Sequence, residues 1–362
     1  MSRKLAFDKI LFPIPIVLSL FGIVMIYSAS AVLALERFGS PYHFLVKQII
    51  ALVLGSALMV WAMHFDYRRY QRRWLVLGSL AGVVALLLLA LLTPSGPVRR
   101  WISLGPLSFQ PSELAKLALV LFLAAFLDQR FGEINDWRRT LLPGGLVIGT
   151  LALLVYEQPD LGTAAALCLT GAILLYLAGL KVATLAAGGA LGFIGLIVMI
   201  FQADYRIQRL KTFLNPSEDP LGAGFQIRQS LLSFGSGGIQ GVNLGEGRQK
   251  LFFLPEPHTD FIYSVVGEEL GLLGTTLVLL GFGLLLWRGI RSALRAPDRF
   301  GYLLGMGLTL FLVIQALLNM GMVLGLLPTK GLPLPFISYG GSSLLIGLFS
   351  VGVLLNISQH SN

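Results

Sequence analysis

Trp74-Leu-Val-Leu-Gly-Ser-Leu-Ala-Gly-Val-Val-Ala-Leu-Leu-Leu-Leu-Ala-Leu-Leu92 is a run of 19 residues without a charged side chain, preceded by Arg72-Arg73 and followed by Thr93-Pro-Ser-Gly-Pro97. At 1.5 Å per residue a helix of that length spans about 28 Å, close to the ~30 Å hydrocarbon core of a bilayer. Nine further apolar runs occupy 10–34, 44–63, 111–127, 141–156, 161–178, 183–201, 261–286, 300–324 and 335–357. Over all 362 residues, 55% are hydrophobic and 12% charged, where a soluble domain carries about 25% charged. So few charges cannot clothe a water-facing surface. The expected fold is all-α: a polytopic integral membrane protein of about ten transmembrane helices, forming a single membrane domain over residues 1–362.

Basic residues orient such a chain, because cytoplasmic loops retain Lys and Arg. With the N-terminus inside, the inner segments hold Arg3, Lys4 and Lys9, then Arg68, Arg69, Arg72 and Arg73, then Arg130, Arg138 and Arg139, then Lys181, and finally Arg288, Arg291, Arg295 and Arg299. The short outer loops hold only Arg37, Arg99, Arg100 and Lys330. Both termini are therefore expected in the cytoplasm. Ser28-Ala29-Ser30 follows a basic start as a signal-peptidase site would. Pro13 and Pro15 before it and nine spans after it make an uncleaved anchor the expectation. Much of the +9 net charge is thus an address. Charges this thinly spread do not form the basic patch that nucleic acid requires. One cysteine, Cys168, and four scattered histidines exclude an internal disulfide and a zinc cluster.

Residues 202–260 are the one long stretch between apolar runs, expected as an ordered extracytoplasmic loop packed on the membrane surface through Phe213, Phe225, Phe234, Phe252 and Phe253. Its glycine cluster, Gly235-Ser-Gly-Gly-Ile-Gln-Gly241, has Gln240 where a dinucleotide fingerprint needs glycine, and no Gly-Lys-Ser/Thr occurs in the chain. A nucleotide site is excluded.

Ionisable groups within or beside membrane spans are expensive unless they meet a partner or a wet cavity. Glu113 and Lys116 share a helix face, and their plainer reading is a neutralised structural pair. Asp160 and Asp260 each precede an apolar run, where helix capping is the plainer reading. Glu268 and Glu269 lie about two turns inside the run that begins at 261. With Lys330 and Ser338-Tyr-Gly-Gly-Ser-Ser343, these groups gather at the outer face. A buried carboxylate there can serve as a general base, and Lys or Arg can hold a diphosphate. The set suits chemistry on a lipid-linked anionic substrate, and equally a proton-coupled transporter.

Several strings are more specific. Leu251-Phe-Phe-Leu-Pro-Glu-Pro-His-Thr-Asp-Phe-Ile-Tyr263, followed by Gly267-Glu-Glu-Leu-Gly271, closely resembles the signature of the SEDS proteins, which polymerise bacterial peptidoglycan. Arg100-Trp-Ile-Ser-Leu-Gly105, Gln110-Pro-Ser-Glu-Leu-Ala-Lys116, Gln158-Pro-Asp-Leu-Gly162 and Pro333-Leu-Pro-Phe-Ile-Ser-Tyr-Gly-Gly-Ser-Ser343 resemble the same family. Arg248-Gln-Lys-Leu-Phe252 and Leu326-Leu-Pro-Thr-Lys-Gly-Leu332 look more like its division branch, FtsW, than its elongation branch, RodA.

The resemblance implies a peptidoglycan glycosyltransferase of the bacterial inner membrane, inverting, that uses lipid II, releases undecaprenyl diphosphate and works outside the cytoplasm. It places the essential acid on Asp260 and matches further motif residues to Glu113, Lys116 and Asp160. Arg248, Lys250 and His258 join them as expected substrate contacts, with Lys116, Arg248 and Lys250 toward the diphosphate. A divalent cation, Mg or Mn, is an expected companion placed by Asp260 or Glu113. Expected partners are lipid II, a class B penicillin-binding protein and other divisome or elongasome membrane proteins. The rival readings are a lipid II flippase, for which charges through the membrane depth are expected, and a scaffold that only recruits a transpeptidase.

Overall fold

The computed structural model describes residues 7–92, 100–104, 107–201, 207, 213, 223–251, 253–328 and 331–360. Among them, each of the ten apolar runs is a helix: α1 Pro13–Phe38, α2 His43–His64, α3 Arg73–Leu92, α4 Pro111–Gln129, α5 Leu142–Glu157, α6 Leu161–Leu177, α7 Val182–Phe201, α9 Ile262–Leu294, α10 Arg299–Val323 and α11 Gly341–His360. Among the described residues, seven helices are long and apolar enough to cross a membrane, and α6 and the first part of α7 are shorter apolar helices. Most of α4 is just as apolar, but it carries Glu113, Lys116 and Asp128. The helix interrupted by charge is the one that enters the site described below.

Two features depart from the expectation. Residues 202–260 are not loop throughout, because Ala223–Gly237 forms a further helix, α8. A short antiparallel ribbon, β1 Ile102–Leu104 with β2 Leu107–Phe109, adds a little strand to the helical fold and pairs Ile102 with Phe109. The glycine cluster begins in α8 and leads into a turn. Lys330, Phe252, Arg99 and the charged residues Asp204, Arg206, Arg209, Lys211, Glu218 and Asp219 lie outside the described residues.

Helix boundaries follow local chemistry. Pro111 opens α4, where a missing N–H does no harm. Asp298 caps α10 by accepting from the Gly301 N–H at 2.7 Å. Gly39 ends α1 in the left-handed region and returns its N–H to the Leu35 carbonyl. α1 continues unbroken through Ser28-Ala29-Ser30. The helices α10 and α11 are the most enclosed, while α2 and α3 turn most of their apolar surface outward. Helices apolar all round, at the centre of such a bundle, are what lipid as solvent permits.

Polar contacts gather at the two ends of the bundle. At one, Arg288 Nε donates to Asp8 at 2.9 Å, Tyr67 and Arg68 meet Asp298, and Asn356 bridges Met63 and Tyr67 through their backbone. The candidate site occupies the other.

α9 is broken near the site end at Gly271, whose φ of 61° and ψ of −157° interrupt the helix. The turn after α8 supplies the hydrogen bonds the break releases. Gly238 and Ile239 carbonyls accept from Leu272 and Leu273 at 2.9 and 3.2 Å, and Val242 N–H donates to Glu268 O at 3.0 Å. So close an approach needs glycine: a Cβ on Gly241, itself at φ +83°, would collide with the Glu269 carbonyl oxygen. The glycine cluster therefore seals a kink.

Candidate active site

Asp260 lies two residues before α9 and is held by its backbone. Asn319 of α10 donates Nδ2 to the Asp260 carbonyl at 2.8 Å and to the Leu332 carbonyl at 2.6 Å, tying both segments to one helix. Ser338 Oγ donates to the Thr259 carbonyl at 2.6 Å, and Tyr339 N–H donates to the His258 carbonyl at 2.9 Å. The Asp260 carboxylate receives no hydrogen bond among the described residues. Burial raises its pKa to about 7; the charge of Arg100 opposes the rise, and the Asp160 and Glu256 carboxylates add to it.

Glu113 and Lys116 form an ion pair of 2.8 Å in the first turns of α4, each side chain 2% exposed. Lys116 also donates to Gln315 Oε1 of α10, whose Nε2 donates to the Pro333 carbonyl at 2.8 Å. This chain of contacts runs from α4 through α10 to the segment flanking Asp260. Asp160 caps α6, accepting from Thr163 N–H at 3.0 Å and Thr163 Oγ1 at 2.8 Å, with Gln110 Nε2 at 3.4 Å. Capping does not exhaust it, since its charge is felt at Asp260.

Arg100 completes the group. It precedes the ribbon, and its guanidinium lies beside both Asp260 and Gly331. Among the described residues nine buried side-chain polar atoms have no partner, and three of them, Arg100 Nε, Glu113 Oε1 and Asn319 Oδ1, belong to this group. Such atoms ordinarily cost about 1–3 kcal/mol each, so three in one group fit a site for a polar guest.

The other expected contacts are engaged in other ways. Lys250 Nζ pairs with Glu269 at 2.6 Å and also donates to Ser28 Oγ and the Gly245 carbonyl, each at 2.8 Å. Arg248 is exposed, while its N–H donates to Glu268 at 2.7 Å. Lys250 and the backbone of Arg248 belong to a clamp between α1, the loop and the first half of α9, while the Arg248 side chain stays exposed. His258 sits against Phe44, ring centroids 4.3 Å apart, and near Tyr339. Burial, with the charge of Arg37, lowers its pKa to about 4, so it is neutral and packed rather than cationic at neutral pH. Among the described residues no three His, Cys, Asp or Glu side chains converge as a metal site. Among the described residues, then, the expected Mg or Mn has no ready-made protein cage.

Arg100, Gln315 and Asn319 were not read from the sequence as site residues. Arg100 heads the string Arg100-Trp-Ile-Ser-Leu-Gly105, which is its signal in the sequence. The two amides sit inside an apolar run, where a polar side chain is the available signal.

A family model described as "Cell cycle protein", covering FtsW, RodA and SpoVE, matches residues 8–362. The chain belongs to the FtsW/RodA/SpoVE family. Among its FtsW/RodA/SpoVE relatives, the stage V sporulation protein E of Bacillus subtilis is 43% identical, with 99% of each chain covered. A probable peptidoglycan glycosyltransferase FtsW of Geobacter sulfurreducens is 44% identical over 98% of this chain and 95% of its own. The crystal structure of Thermus thermophilus RodA aligns with a TM-score of 0.71 at 30% identity over 99% of both chains. A structure described as "Structural coordination of polymerization and crosslinking by a peptidoglycan synthase complex" aligns with a TM-score of 0.80 at 31% identity over 98% of both.

Proposed function

We propose that this chain is a peptidoglycan glycosyltransferase of the bacterial cytoplasmic membrane that polymerises lipid II, in the septal wall of division as its FtsW relatives suggest. Both termini face the cytoplasm and the Asp260 end faces outward, in keeping with the basic residues near Asp8, Arg68 and Arg288 at the opposite end. The observation that carries the reading is the unpaired Asp260 carboxylate, held by its backbone and poised to titrate near neutrality.

A base with that pKa can take a hydroxyl proton at physiological pH. Asp260 accepts the proton of the 4-hydroxyl of the acceptor N-acetylglucosamine as that oxygen bonds to C1 of the donor N-acetylmuramic acid. The bond from C1 to the diphosphate oxygen breaks on the opposite face, inverting the centre and releasing undecaprenyl diphosphate. One carboxylate suffices, because the leaving diphosphate needs charge stabilisation more than a proton. Arg248 is the exposed cation of the loop and the better diphosphate contact, since Lys116 and Lys250 are engaged by Glu113 and Glu269. Glu113, Lys116 and Asp160 shape the seat and set its charge.

The likeness to a peptidoglycan synthase complex supports a penicillin-binding protein as partner. The test is glycan-strand formation from labelled lipid II by the purified protein, with and without such a transpeptidase, beside a lipid II flipping assay. Wild type is expected to make strands and Asp260→Asn none, while remaining folded and inserted. Strands from Asp260→Asn would remove the base assignment, and flipping without polymerisation would replace the reading with transport.

A further inference from the structure

Gly331 separates two charged groups that do not meet. A Cβ on Gly331 would lie 3.0 Å from Asp260 Oδ2 and 3.1 and 3.2 Å from Arg100 Nη1 and Nη2. The carboxylate and the guanidinium therefore flank Gly331, no more than about 6 Å apart. Neither group makes an ion pair or a side-chain hydrogen bond among the described residues, and Arg100 Nε is buried without a partner. The backbone of Gly331 is not in the left-handed region, so conformation alone does not demand glycine there. A methyl there would press on both charged groups.

We infer that the acceptor hydroxyl binds between Arg100 and Asp260, alongside Gly331, with Arg100 donating a hydrogen bond to the same oxygen whose proton Asp260 accepts. This rests on the glycosyltransferase reading above and extends it to two residues.

The chemistry selects a hydroxyl over a phosphate. An anionic oxygen there would press against the Asp260 carboxylate, whereas a hydroxyl satisfies both neighbours, donating to the carboxylate and accepting from the guanidinium. As the proton moves to Asp260 and the new bond to C1 forms, Arg100 stabilises the negative charge that develops on the attacking oxygen. Arg100 is thereby placed on the acceptor side of the reaction and not against the leaving diphosphate. The fold supports the placement: Arg100 leads into the ribbon, and the ribbon is pinned to α11, with Ser342 Oγ donating to the Ser108 carbonyl at 3.5 Å.

The test uses the full-length protein with its transpeptidase partner and labelled lipid II, comparing wild type, Arg100→Gln, Arg100→Lys, Gly331→Ala and Asp260→Asn. Arg100→Gln is expected to lower kcat at least about 100-fold, the loss typical of one oxyanion donor, with lipid II KM within threefold. Arg100→Lys, which keeps the charge, is expected to recover part of kcat. The groups facing Asp260 are Arg100, Asp160 and Glu256, so losing Arg100 moves the acid limb of the rate profile up by about one pH unit, whereas Arg100→Lys leaves it in place. A merely structural role would not move that limb. Gly331→Ala is expected to lower kcat, its methyl pressing on the carboxylate and the guanidinium and shifting both. If Gly331→Ala fails to fold, the Arg100 pair decides alone. Normal kcat and an unmoved pH limb in Arg100→Gln, or a KM effect only, would overturn the inference. If Asp260→Asn itself polymerises, the base reading has failed and this inference with it. If Asp260→Asn is dead while Arg100→Gln and Gly331→Ala are normal, this inference falls alone.

Discussion

Asp260→Asn should make the protein more stable and inactive at once. Burial lifts the Asp260 pKa from 3.8 to about 7, and each tenfold change in proton affinity between the folded and unfolded states is worth about 1.36 kcal/mol. Because the folded-state pKa is the raised one, both states are protonated below pH ~4 and the carboxyl then carries no penalty. Between pH ~4 and ~7 the unfolded chain releases the proton more readily than the folded one, so stability falls. Above pH ~7 the full penalty, on the order of 4 kcal/mol, is in place. Asparagine keeps the shape without the charge. The variant should therefore unfold at a higher temperature than wild type at pH 8, with the gap narrowing as pH falls toward 4.5. Thermal unfolding in one detergent at a series of pH values measures the gap, and lipid II polymerisation on the same samples measures the loss. A gap that is absent at pH 8, or that does not change with pH, would refute the claim that Asp260 is held in a desolvated site.

The remaining expectations concern the scaffold. Lys250→Met leaves Glu269, wholly buried, without its cation, and should destabilise the protein by about 3–5 kcal/mol, read from thermal unfolding. Glu113→Gln should likewise destabilise by stranding Lys116. The double variant Glu113→Gln with Lys116→Met should recover stability but not polymerisation, which separates the pair's packing from its place in the site. Gly241→Ala drives a methyl into the Glu269 carbonyl oxygen at a positive φ and should reduce folded yield sharply, while Gly235→Ala, with open space around it, should be neutral within about 0.5 kcal/mol.

Membrane helices were legible because each spanning segment announces itself by one local quantity, apolar length. The run 74–92 became Arg73–Leu92 and the run 111–127 became Pro111–Gln129. α8 was missed for the same reason, since a 15-residue helix with Gln, Arg and Ser on it is not a continuous apolar run. Asp260, Glu113 and Asp160 stood out because a charge in so apolar a chain demands a reason. The place of Lys250 did not, as nothing in a basic loop residue says that it will be held by Ser28 and Glu269. His258 gives the same lesson, its neighbours Phe44 and Tyr339 lying far along the chain on either side.

Sequence by itself determined the solvent, the helices and the short roster of ionisable residues, because transfer into lipid is decided residue by residue along a segment. The Glu113–Lys116 pair lies three residues apart on one helix and is legible in the sequence. Tertiary structure alone decided that Lys250 meets Glu269 and that Arg100 is left facing Asp260 across Gly331. Charge interactions at a few ångströms depend on distance and burial, and those exist only once the helices have packed.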